Sequence, residues 1–543
     1  MAAETAKNTN SAFTELGMAQ TVKAVCDEIR HLYLWDQTPW VIGYSGGKDS
    51  SAVVQLVWLA LKELPEEQRQ KPVHVISTDT LVEQPMVAAW VDASHARMRQ
   101  AAAEQKMPIT PHKLTPDVKD TFWVNLIGKG YPAPRKMFRW CTSRMKINPS
   151  NNFILNVVRK SGEAMLVLGT RKAESQRRGV AMQRHENKSR EDAILNQRLT
   201  LNSSLPGSLV YTPVEDWTND DVWLFLMQVK NPWGHTNKSL LGMYQGASAD
   251  GECPLVVDTT TPSCGNSRFG CWVCTVVDKD RSMEAMIKND DEKVWMRPLL
   301  DLRNDLADFK KEKSSSSSGP ARRDYRRMTG RVHLMKGNDA QGEEEYRLVH
   351  GPYKKEAREY WLRRVLETQC QLRELGPDDF RNIELISMNE LQEIRRIWRY
   401  EKHEFDDVLP RLYEEIIGQP FPLPADDDNL LRGEDWQILK SVCEQACQES
   451  GVEDFERFFE LQVSLLDVER EFRGMSRRSG IYEALEDRLR ACQFENEEQA
   501  LTIRQEEEQL RQDVDEANER AMAQIQKSLF DVPDDVAEEI VEE

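Results

Sequence analysis

The sequence predicts an α/β fold, with a parallel sheet covered by helices on both faces, followed by a mostly α-helical C-terminal region. Two observations predict it. Over residues 1 to about 280, short β-rich runs alternate with segments whose apolar residues have helical spacing, and from about residue 352 the pattern is helical almost throughout. A chain of 543 residues is also long enough for a large core and more than one domain.

Four strands are predicted in chain order, in the segments PWVIGYS, PVHVISTDT, AMLVLGT and SLVYTPV. The first is followed by DSSAVVQLVWLALKEL and the second by QPMVAAWVDASHARMRQAAAEQ, both apolar at helical spacing. Strands that alternate with helices in this way form a parallel sheet. Near the C-terminus, YEALEDRLRACQFENEEQALTIRQEEEQLRQDVDEANERAMAQIQ predicts a long surface helix or a short coiled coil.

Three domains are predicted from these patterns. Residues 1–280 form the α/β domain, 281–351 form a basic segment with a linker at KKEKSSSSSGPARRDYRR, and 352–543 form the helical region. The last region ends in an acidic tail. Residues 452–543 hold 27 Asp and Glu against 11 Lys and Arg, whereas the first 451 residues hold 64 against 61, so most of the net charge of -19 lies in the tail.

The composition excludes some classes of protein. No stretch approaches the roughly 18 uninterrupted apolar residues of a membrane helix, so we expect no membrane partner. The N-terminal segment MAAETAKNTNSAFTELG lacks the basic start and apolar core of a signal peptide, and we therefore expect a cytoplasmic protein. In that compartment its ten cysteines are expected to be free thiols or metal ligands rather than disulfides.

The segment VIGYSGGKDSSAVV predicts a phosphate-binding turn between the first strand and its helix. Gly46 and Gly47 permit a tight turn whose amides face an anion, Lys48 adds positive charge, and Ser45 and Ser50 add hydroxyl groups. The spacing is not that of a Walker A loop. The alternative is a plain strand-to-helix turn with glycines for packing, but the lysine and both serines directly after an apolar strand favour phosphate binding.

The cysteines of CPLVVDTTTPSCGNSRFGCWVCTVV predict a metal site. Cys271 and Cys274 are spaced to reach one metal, Cys264 lies seven residues earlier, and either Cys253 or Cys141 is available as the fourth ligand. Four cysteines suit zinc as well as an iron–sulfur cluster. The residues alone leave both metals open, together with unligated buried thiols.

The string SGGKDS resembles the PP-loop of the ATP pyrophosphatases, and three further strings resemble the phosphoadenylylsulfate (PAPS) reductase branch of that superfamily: STDTLVEQP, LGTRKAESQRR and TPVEDWTNDDVWLFL. This resemblance covers residues 40 to about 230. It implies a Rossmann-like PP-loop domain, similar to the adenine nucleotide alpha hydrolases, that cleaves ATP to AMP and pyrophosphate. The matching positions are Asp79, Thr80, Glu83, Gly169, Arg171, Glu174 and Ser175.

The resemblance also assigns roles to residues. Lys48, Ser45 and Asp49 are the predicted catalytic residues. The predicted nucleotide-binding residues are Ser45, Gly46, Gly47, Lys48, Asp49, Ser50, Asp79, Thr80, Gly169 and Arg171. Asp79 and Gly169 follow predicted strands, at the edge where open α/β sheets bind ligands. We expect Mg²⁺ on Asp49 or Asp79, although each is also explained as a turn or helix-starting residue.

Iron–sulfur reductases of this superfamily use an early cysteine and a late Cys-x-x-C pair. The resemblance therefore implies a [4Fe–4S] cluster held by Cys141, Cys264, Cys271 and Cys274, with Cys253 as the alternative to Cys141 and zinc as the alternative metal.

Two departures argue against a plain PAPS reductase. The chain ends in DDVAEEIVEE where the thioredoxin-linked enzymes have a Glu-Cys-Gly-Leu-His motif, and RWCTSR has one early cysteine where the iron–sulfur reductases have two adjacent ones. With its long helical C-terminus, the chain looks like the DndC family, the sulfurtransferases of bacterial DNA phosphorothioation. That resemblance implies an ATP-dependent sulfurtransferase whose partners are DNA, a cysteine desulfurase as sulfur donor, and other phosphorothioation proteins. A sulfate-nucleotide reductase and a non-catalytic scaffold are the alternatives.

Three basic stretches predict contact with DNA: residues 135–146, RKAESQRRGVAMQRHENKSR after the strand that ends near Gly169, and ARRDYRRMTGRVHLMK after the serine run. Such runs are also ordinary solvated surface. The acidic tail is expected to dock on a basic partner or to fold over the basic site.

Overall fold

The structure is a computed structural model. It describes residues 11–172, 199–202, 205–247, 270–309, 322–328, 330–338, 344–402, 404, 406–423, 433–452, 454–475, 477–494 and 496–530. The described helices include none that combines the length and the apolar character that a membrane crossing requires.

A six-stranded sheet forms the centre of the N-terminal half. Its strands are β1 (Trp40–Gly43), β2 (Val73–Thr78), β3 (Ile109–Leu114), β4 (Ala164–Val167), β5 (Leu199–Leu201) and β6 (Ser208–Tyr211). The order across the sheet is β3-β2-β1-β4-β6-β5, and all neighbours are parallel except β5 and β6. A separate antiparallel hairpin joins β7 (Leu334–Asn338) to β8 (Glu344–Leu348).

The α-helices are numbered in chain order. Those of the N-terminal half are α1 (Gly17–Trp35), α2 (Lys48–Lys62), α3 (Pro85–Glu104), α4 (Asn148–Ser161), α5 (Asn219–Gln228) and α6 (Asn237–Gly246). Two follow in the middle of the chain, α7 (Arg281–Asn289) and α8 (Arg297–Leu306). The C-terminal helices are α9 (Lys355–Leu375), α10 (Met388–Tyr400), α11 (Val408–Ile417), α12 (Gly433–Ser450), α13 (Phe455–Phe472), α14 (Ile481–Ala491) and α15 (Glu497–Phe530).

Helices cover both faces of the sheet, as the sequence predicts. Alternate residues of β1 point to opposite faces, so Trp40 and Ile42 join a large core with α1, α2, α3, α5 and α6. Val41 packs on the other side with Ile154 and Val157 of α4. Helix α2 is buried on almost every side because it lies between the sheet, α1 and α5.

A second large core lies beside the sheet domain. It combines residues that follow β2 and β3, such as Val82 and Trp123, with Trp272 and with residues of α7 to α11. The indole of Trp123 donates to the carbonyl of Leu385 over 2.6 Å, and that of Trp398 donates to the carbonyl of Ile127 over 2.9 Å. The C-terminal helices α9 to α11 therefore share a core with the segment that carries Cys141 and Cys271.

The α/β class, the parallel arrangement and the helical C-terminal region are confirmed. The sequence did not predict β3, whose central residues Pro111, His112 and Lys113 break the β pattern. Proline is tolerated there because β3 is an edge strand. The three-residue strand β5 was also too short to predict. The long C-terminal helical stretch is two helices, α14 and α15, and the serine run of the predicted linker lies outside the described residues.

Candidate active site

The loop after β1 turns tightly over the start of α2. Gly46 has a φ angle of +74°, a conformation that residues other than glycine rarely adopt. A Cβ atom at Gly46 would lie 2.6 Å from Cγ2 of Val91. The indole of Trp90 donates to the carbonyl of Gly46 over 3.1 Å and so fixes the loop from outside. Only glycine fits this position, for conformational as well as steric reasons.

Hydroxyl groups tie the two ends of the loop together. Oγ of Ser50 accepts from the amide of Ser45 over 3.2 Å, lies 3.2 Å from Oγ of Ser45, and donates to the carbonyl of Gly47 over 3.1 Å. The amides of Gly46 and Gly47 have no hydrogen-bond partner within the described part of the chain. Two donors at the start of a helix are thus available to an anion.

Asp49 connects this loop to the residues that follow β4. Its Oδ1 accepts from Nε of Arg171 over 2.7 Å, and its Oδ2 lies 3.0 Å from Nζ of Lys48. Arg171 is 3% exposed, and its Nη1 also donates to the carbonyl of Trp217 over 3.2 Å. Two cations share one carboxylate, so a net positive charge remains beside the free amides, which is the charge that a phosphate group requires.

Gly169 lies where β4 approaches the start of α2. A Cβ atom there would lie 2.9 Å from the backbone carbonyl carbon and oxygen of Asp49. Strands β1 and β4 are neighbours although the chain visits β2 and β3 between them. Such a switch point opens a crevice at the carboxyl ends of the strands, where α/β proteins bind their ligands. The loop, Gly169 and Arg171 come together at this crevice.

Tyr244 contacts the same loop, although nothing in the sequence predicts this contact. Its hydroxyl group lies 3.4 Å from the amide nitrogen of Lys48, and its ring lies 5.8 Å from Nζ of Lys48. Tyr244 belongs to α6, almost 200 residues away in the chain. Trp90 of α3 is a second contact of this kind. Neither residue belongs to a sequence motif. Both contact the loop because their helices pack against it, and sequence spacing does not reveal such contacts.

The two predicted residues after β2 have different surroundings. The carboxylate of Asp79 pairs with Nζ of Lys113 over 2.9 Å, and its Oδ1 accepts from the amide of Leu81 over 2.8 Å. Thr80 contacts the cysteines instead: its Oγ1 lies 3.3 Å from Sγ of Cys271. The end of β2, the strand beside β1, therefore contacts the cysteine region through Thr80.

Cys271 is held directly against the segment that follows β2. Glu83 and Cys271 form an antiparallel bridge, and the amide of Trp272 donates to the carbonyl of Val82 over 3.0 Å. Oε1 of Glu83 lies 3.7 Å from Sγ of Cys271 and 3.4 Å from Nζ of Lys146. The sequence marked Lys146 only as part of a basic stretch, whereas the structure brings it to the cysteines.

The surroundings of Cys271 favour its neutral thiol. Burial, followed by the charge of Glu83, raises the pKa of Cys271 to about 12. Burial acts to lower the pKa of Lys146, but the charges of Cys271 and Glu83 outweigh it and raise that pKa. Lys146 therefore stays cationic beside the sulfur atom, where it would stabilise a thiolate or another anion.

Cys141 and Cys274 lie in the same region. After burial, the charge of Cys274 is among the causes that raise the pKa of Cys141, and it also raises that of Cys271. The amide of Cys274 donates to the carbonyl of Cys271, and its carbonyl accepts from Nε of Arg303, both over 3.0 Å. Three of the four predicted cluster ligands thus lie close enough for their charges to interact.

The fourth predicted ligand, Cys264, lies outside the described residues, as does its alternative Cys253. Among the residues that the structure describes, no three His, Cys, Asp or Glu side chains form a group arranged to hold a metal ion. The donor chemistry fits a thiolate-bound centre, because three partly buried thiols lie in one region and the cation of Lys146 interacts with two of them, Cys141 and Cys271. The described residues therefore supply sulfur donors for such a centre, but they are not arranged as a complete set of metal ligands.

Other predicted residues lie beyond the described ranges. These are Glu174 and Ser175 of the third motif and most of the second basic stretch. In the third basic stretch, Arg323 is buried and donates through Nε to the carbonyl of Gly351 over 2.8 Å, so it holds the fold rather than facing solvent.

Comparison with known proteins supports the fold assignment. Residues 39–276 match the profile of the phosphoadenosine phosphosulfate reductase domain. This part of the chain is a PAPS reductase-like domain of the PP-loop superfamily. An uncharacterized protein, MJ0066 of Methanocaldococcus jannaschii, is 24% identical over 267 residues. The match covers 49% of this chain and only 42% of that relative's length.

Two solved structures are similar to parts of the chain. The FMN adenylyltransferase of Candida glabrata has a TM-score of 0.24 and 10% identity, over 45% of this chain and 64% of its own. The U34-tRNA thiolase NcsA of Methanococcus maripaludis, solved with its [4Fe-4S] cluster, has a TM-score of 0.23 and 14% identity, over 55% of this chain and 86% of its own. At these scores neither structure bears on the activity of this chain.

Proposed function

We propose that the protein is an ATP-dependent sulfurtransferase of the DndC type, which acts in phosphorothioate modification of the DNA backbone. One observation carries the proposal: a loop suited to phosphate and a group of cysteines lie at the ends of two neighbouring strands. The loop follows β1, and Thr80 and Glu83, which contact Cys271, follow β2. A protein that activates a phosphate and then transfers sulfur needs both sites close together.

The proposed reaction has two steps. A non-bridging oxygen of a DNA phosphodiester attacks the α-phosphorus of ATP, so that a P–O bond forms, the bond to the β-phosphate breaks, and pyrophosphate leaves. A sulfur nucleophile then attacks the DNA phosphorus, and AMP leaves with the oxygen atom. If the sulfur arrives as a protein persulfide from a cysteine desulfurase, a thiol reductant must supply two electrons to cleave the remaining S–S bond. The first step converts the phosphodiester oxygen, a poor leaving group, into part of AMP, a good one, and the second step expels it.

In this proposal the loop residues stabilise the leaving pyrophosphate. The amides of Gly46 and Gly47 donate to its oxygens, Lys48 offsets the developing charge, and the hydroxyl group of Ser45 adds a further donor. Asp49 holds Lys48 and Arg171 at fixed positions through its two oxygens. These groups are already oriented before substrate arrives, which is the condition for strong electrostatic stabilisation of a transition state.

For Mg²⁺, the oxygens of Asp49 and Asp79 are donors of the right type. Each carboxylate already has cationic partners, Lys48 and Arg171 for Asp49 and Lys113 for Asp79. Either carboxylate could hold Mg²⁺, which would offset negative charge on the phosphates of ATP.

For the [4Fe–4S] cluster, Cys141, Cys264, Cys271 and Cys274 would be the ligands. Such a cluster supplies iron for binding sulfur and for one-electron transfer. Independently of it, Lys146 stabilises negative charge on sulfur at Cys271, and Glu83 holds Lys146 in place. The second core packs against Cys141 and Cys271, which are partly buried, and so limits the access of water to a reactive sulfur species there.

The experiment uses the full chain, purified without oxygen, with duplex DNA, ATP and Mg²⁺. Release of AMP and pyrophosphate is measured together with iron and acid-labile sulfide. We expect roughly four irons per chain and DNA-dependent release of pyrophosphate. Lys48→Ala should abolish the release but keep the iron, whereas Lys62→Ala, at the other end of α2, should change neither. Cys271→Ala should lose the iron, and Cys370→Ala, in α9, should retain it.

A chain that binds zinc and releases neither AMP nor pyrophosphate with DNA would contradict the proposal. A sulfate-nucleotide reductase is the second candidate, because the match over residues 39–276 is to the PAPS reductase domain. Sulfite production from PAPS in the presence of a reductant, with no need for DNA, would favour that candidate.

A further inference from the structure

A short turn over residues 135–139 projects from the cysteine region. The amide of Arg135 donates to the carbonyl of Phe138 over 3.0 Å, and the amide of Phe138 donates to the carbonyl of Arg135 over 2.9 Å. Between them the side chain of Met137 is 97% exposed, and Phe138 is 40% exposed. We call this segment the exposed turn. Two adjacent large apolar side chains on a projecting turn are costly in water unless they have a partner.

The base of the exposed turn is firmly anchored. The hydroxyl group of Thr275 donates to the carbonyl of Pro134 over 2.6 Å, the amide of Ala133 lies 3.2 Å from the hydroxyl oxygen of Tyr353, and the indole of Trp140 donates to the carbonyl of Pro132 over 2.9 Å. These partners come from three separate parts of the chain. The turn therefore cannot bury its apolar tip by folding back without breaking these contacts.

The stretch of sequence that contains the exposed turn is basic and has the sign of charge that a polyanion requires. From residue 121 to residue 162 the sequence contains no Asp or Glu, although the whole chain has a net charge of -19. The cations in this range are Lys129, Arg135, Lys136, Arg139, Arg144, Lys146, Arg159 and Lys160. Lys136 and Arg139 flank the apolar tip directly, and both are exposed.

The exposed turn also lies next to the predicted sulfur chemistry. Cys141 follows Arg139 by two residues, and Thr275, which holds Pro134, directly follows Cys274. The ring of Phe138 stacks on Tyr131 with centroids 6.3 Å apart, and the guanidinium of Arg144 lies 4.5 Å from the ring centre of Tyr131. Whatever binds the turn is thereby brought to the cysteines.

We propose that the exposed turn is a wedge that engages duplex DNA, with Met137 and Phe138 inserted between bases and Lys136 and Arg139 on the adjacent phosphates. Apolar side chains that open a base step beside cationic contacts are a known way for proteins to bend DNA and bring a backbone phosphate into a site. This inference rests on the proposed function and adds to it the element that presents the DNA phosphate.

The test measures binding of the full chain to a fluorescent DNA duplex over a range of salt concentrations. Met137→Ser with Phe138→Ser should weaken binding about tenfold and leave the salt dependence unchanged. Lys136→Ala with Arg139→Ala should lower the slope of log affinity against log salt by about two. Leu201→Ser, at an apolar site that is 79% exposed on the edge strand β5, is the control and should bind as the parent does. Unfolding midpoints establish that all variants are folded.

The outcomes separate the wedge from the proposed function. If both turn variants bind DNA as the parent does while DNA-dependent release of pyrophosphate persists, the wedge is wrong and the function stands. If the parent neither binds DNA nor releases pyrophosphate with it, the function itself fails. If an RNA duplex of the same sequence binds equally well and shows the same losses, the partner is RNA, and the assignment to DNA is overturned.

Discussion

The side chain of Arg171 joins two elements of the crevice by donating from Nε to Oδ1 of Asp49 over 2.7 Å. Asp49 lies in the first turn of α2, and Arg171 follows β4, the strand beside β1. Because Nη1 of Arg171 also donates to the carbonyl of Trp217, one buried guanidinium sets the width of the crevice. The position of the phosphate loop relative to the neighbouring strand depends on this residue.

Arg171→Lys should therefore weaken both the fold and the crevice. A lysine lacks the rigid, planar set of donors of a guanidinium, so it cannot donate to Asp49 and to the carbonyl of Trp217 in the same geometry. The loss of one buried charge-assisted hydrogen bond should lower the free energy of unfolding by about 1.5–3 kcal/mol. Urea unfolding measures the stability, and calorimetry with a non-hydrolysable ATP analogue measures the accompanying loss of affinity. Arg159→Lys, on the exposed face of α4, is the control; equal effects of the two changes would contradict the role given to Arg171.

Gly46→Ala should damage the loop after β1. The new Cβ atom would meet Val91 at 2.6 Å in a backbone conformation that alanine avoids. Such strain costs about 1–3 kcal/mol, or the loop shifts and loses its orientation toward phosphate. Thermal unfolding and nucleotide binding are the measurements. Gly246→Ala, which has no neighbouring atom within 4 Å of the added Cβ, should be almost neutral, and a neutral Gly46→Ala would refute the argument.

The stability should fall on acidification through His95. Burial, followed by the charge of Arg99, lowers the pKa of His95 to about 4, against an ordinary value near 6.5. The unfolded chain therefore binds a proton that the folded chain excludes, so the stability is complete above pH 6.5 and is lost as the pH falls toward 4. Between pH 7.5 and pH 5, protonation linked to His95 should lower the free energy of unfolding by about 2 kcal/mol.

His95→Gln tests this expectation, because the amide can still contact Ser77, whose Oγ lies 2.9 Å from Nε2 of the histidine. Urea unfolding of both proteins at the two pH values gives the difference directly. The variant should show a pH dependence that is flatter by that amount. His31→Gln, at an exposed position of α1, is the control and should show the pH dependence of the parent. If the parent and His95→Gln lose the same stability between the two pH values, His95 is not the group responsible.

Tyr353→Phe should loosen the base of the exposed turn. The buried hydroxyl group of Tyr353 accepts from the amide of Ala133 over 3.2 Å, and its removal leaves that amide without this acceptor. An unsatisfied buried group costs about 1–3 kcal/mol. Hydrogen exchange at residues 131–139 should rise together with this loss of stability. Tyr482→Phe, 85% exposed, is the matched control, and unchanged exchange in Tyr353→Phe would show that the anchor is elsewhere.

The sequence predicted the parts of the fold that depend on local pattern. Apolar runs marked β1, β2, β4 and β6, and the glycines with Lys48 marked the loop after β1. It also predicted the class of the domain, because four motifs stand in a fixed order. The sequence failed at β3, since an edge strand tolerates Pro111 and polar neighbours that a central strand excludes.

The surroundings of the candidate site could not be predicted in the same way. Tyr244 and Trp90 reach the loop from helices whose packing is decided by the whole core. Lys146 meets Glu83 and Cys271 across more than 60 and 120 positions of sequence, and no spacing rule connects such residues. Spacing pointed to Cys264, Cys271 and Cys274, and the resemblance pointed to Cys141, but neither gave an account of the charges around these cysteines; their role as cluster ligands stays a prediction.

The second core has a consequence for how the protein is made. Val82, Trp272 and Ile394 belong to one apolar cluster that also reaches Phe421. On the ribosome, the sheet domain is complete once residue 276 has emerged, but about 150 further residues must follow before helices α9 to α11 can cover the cysteine region. At the usual rates of protein synthesis that interval is on the order of ten seconds. Until α9 to α11 have been made, the cysteine region lacks the helices that share its core, and their arrival covers it.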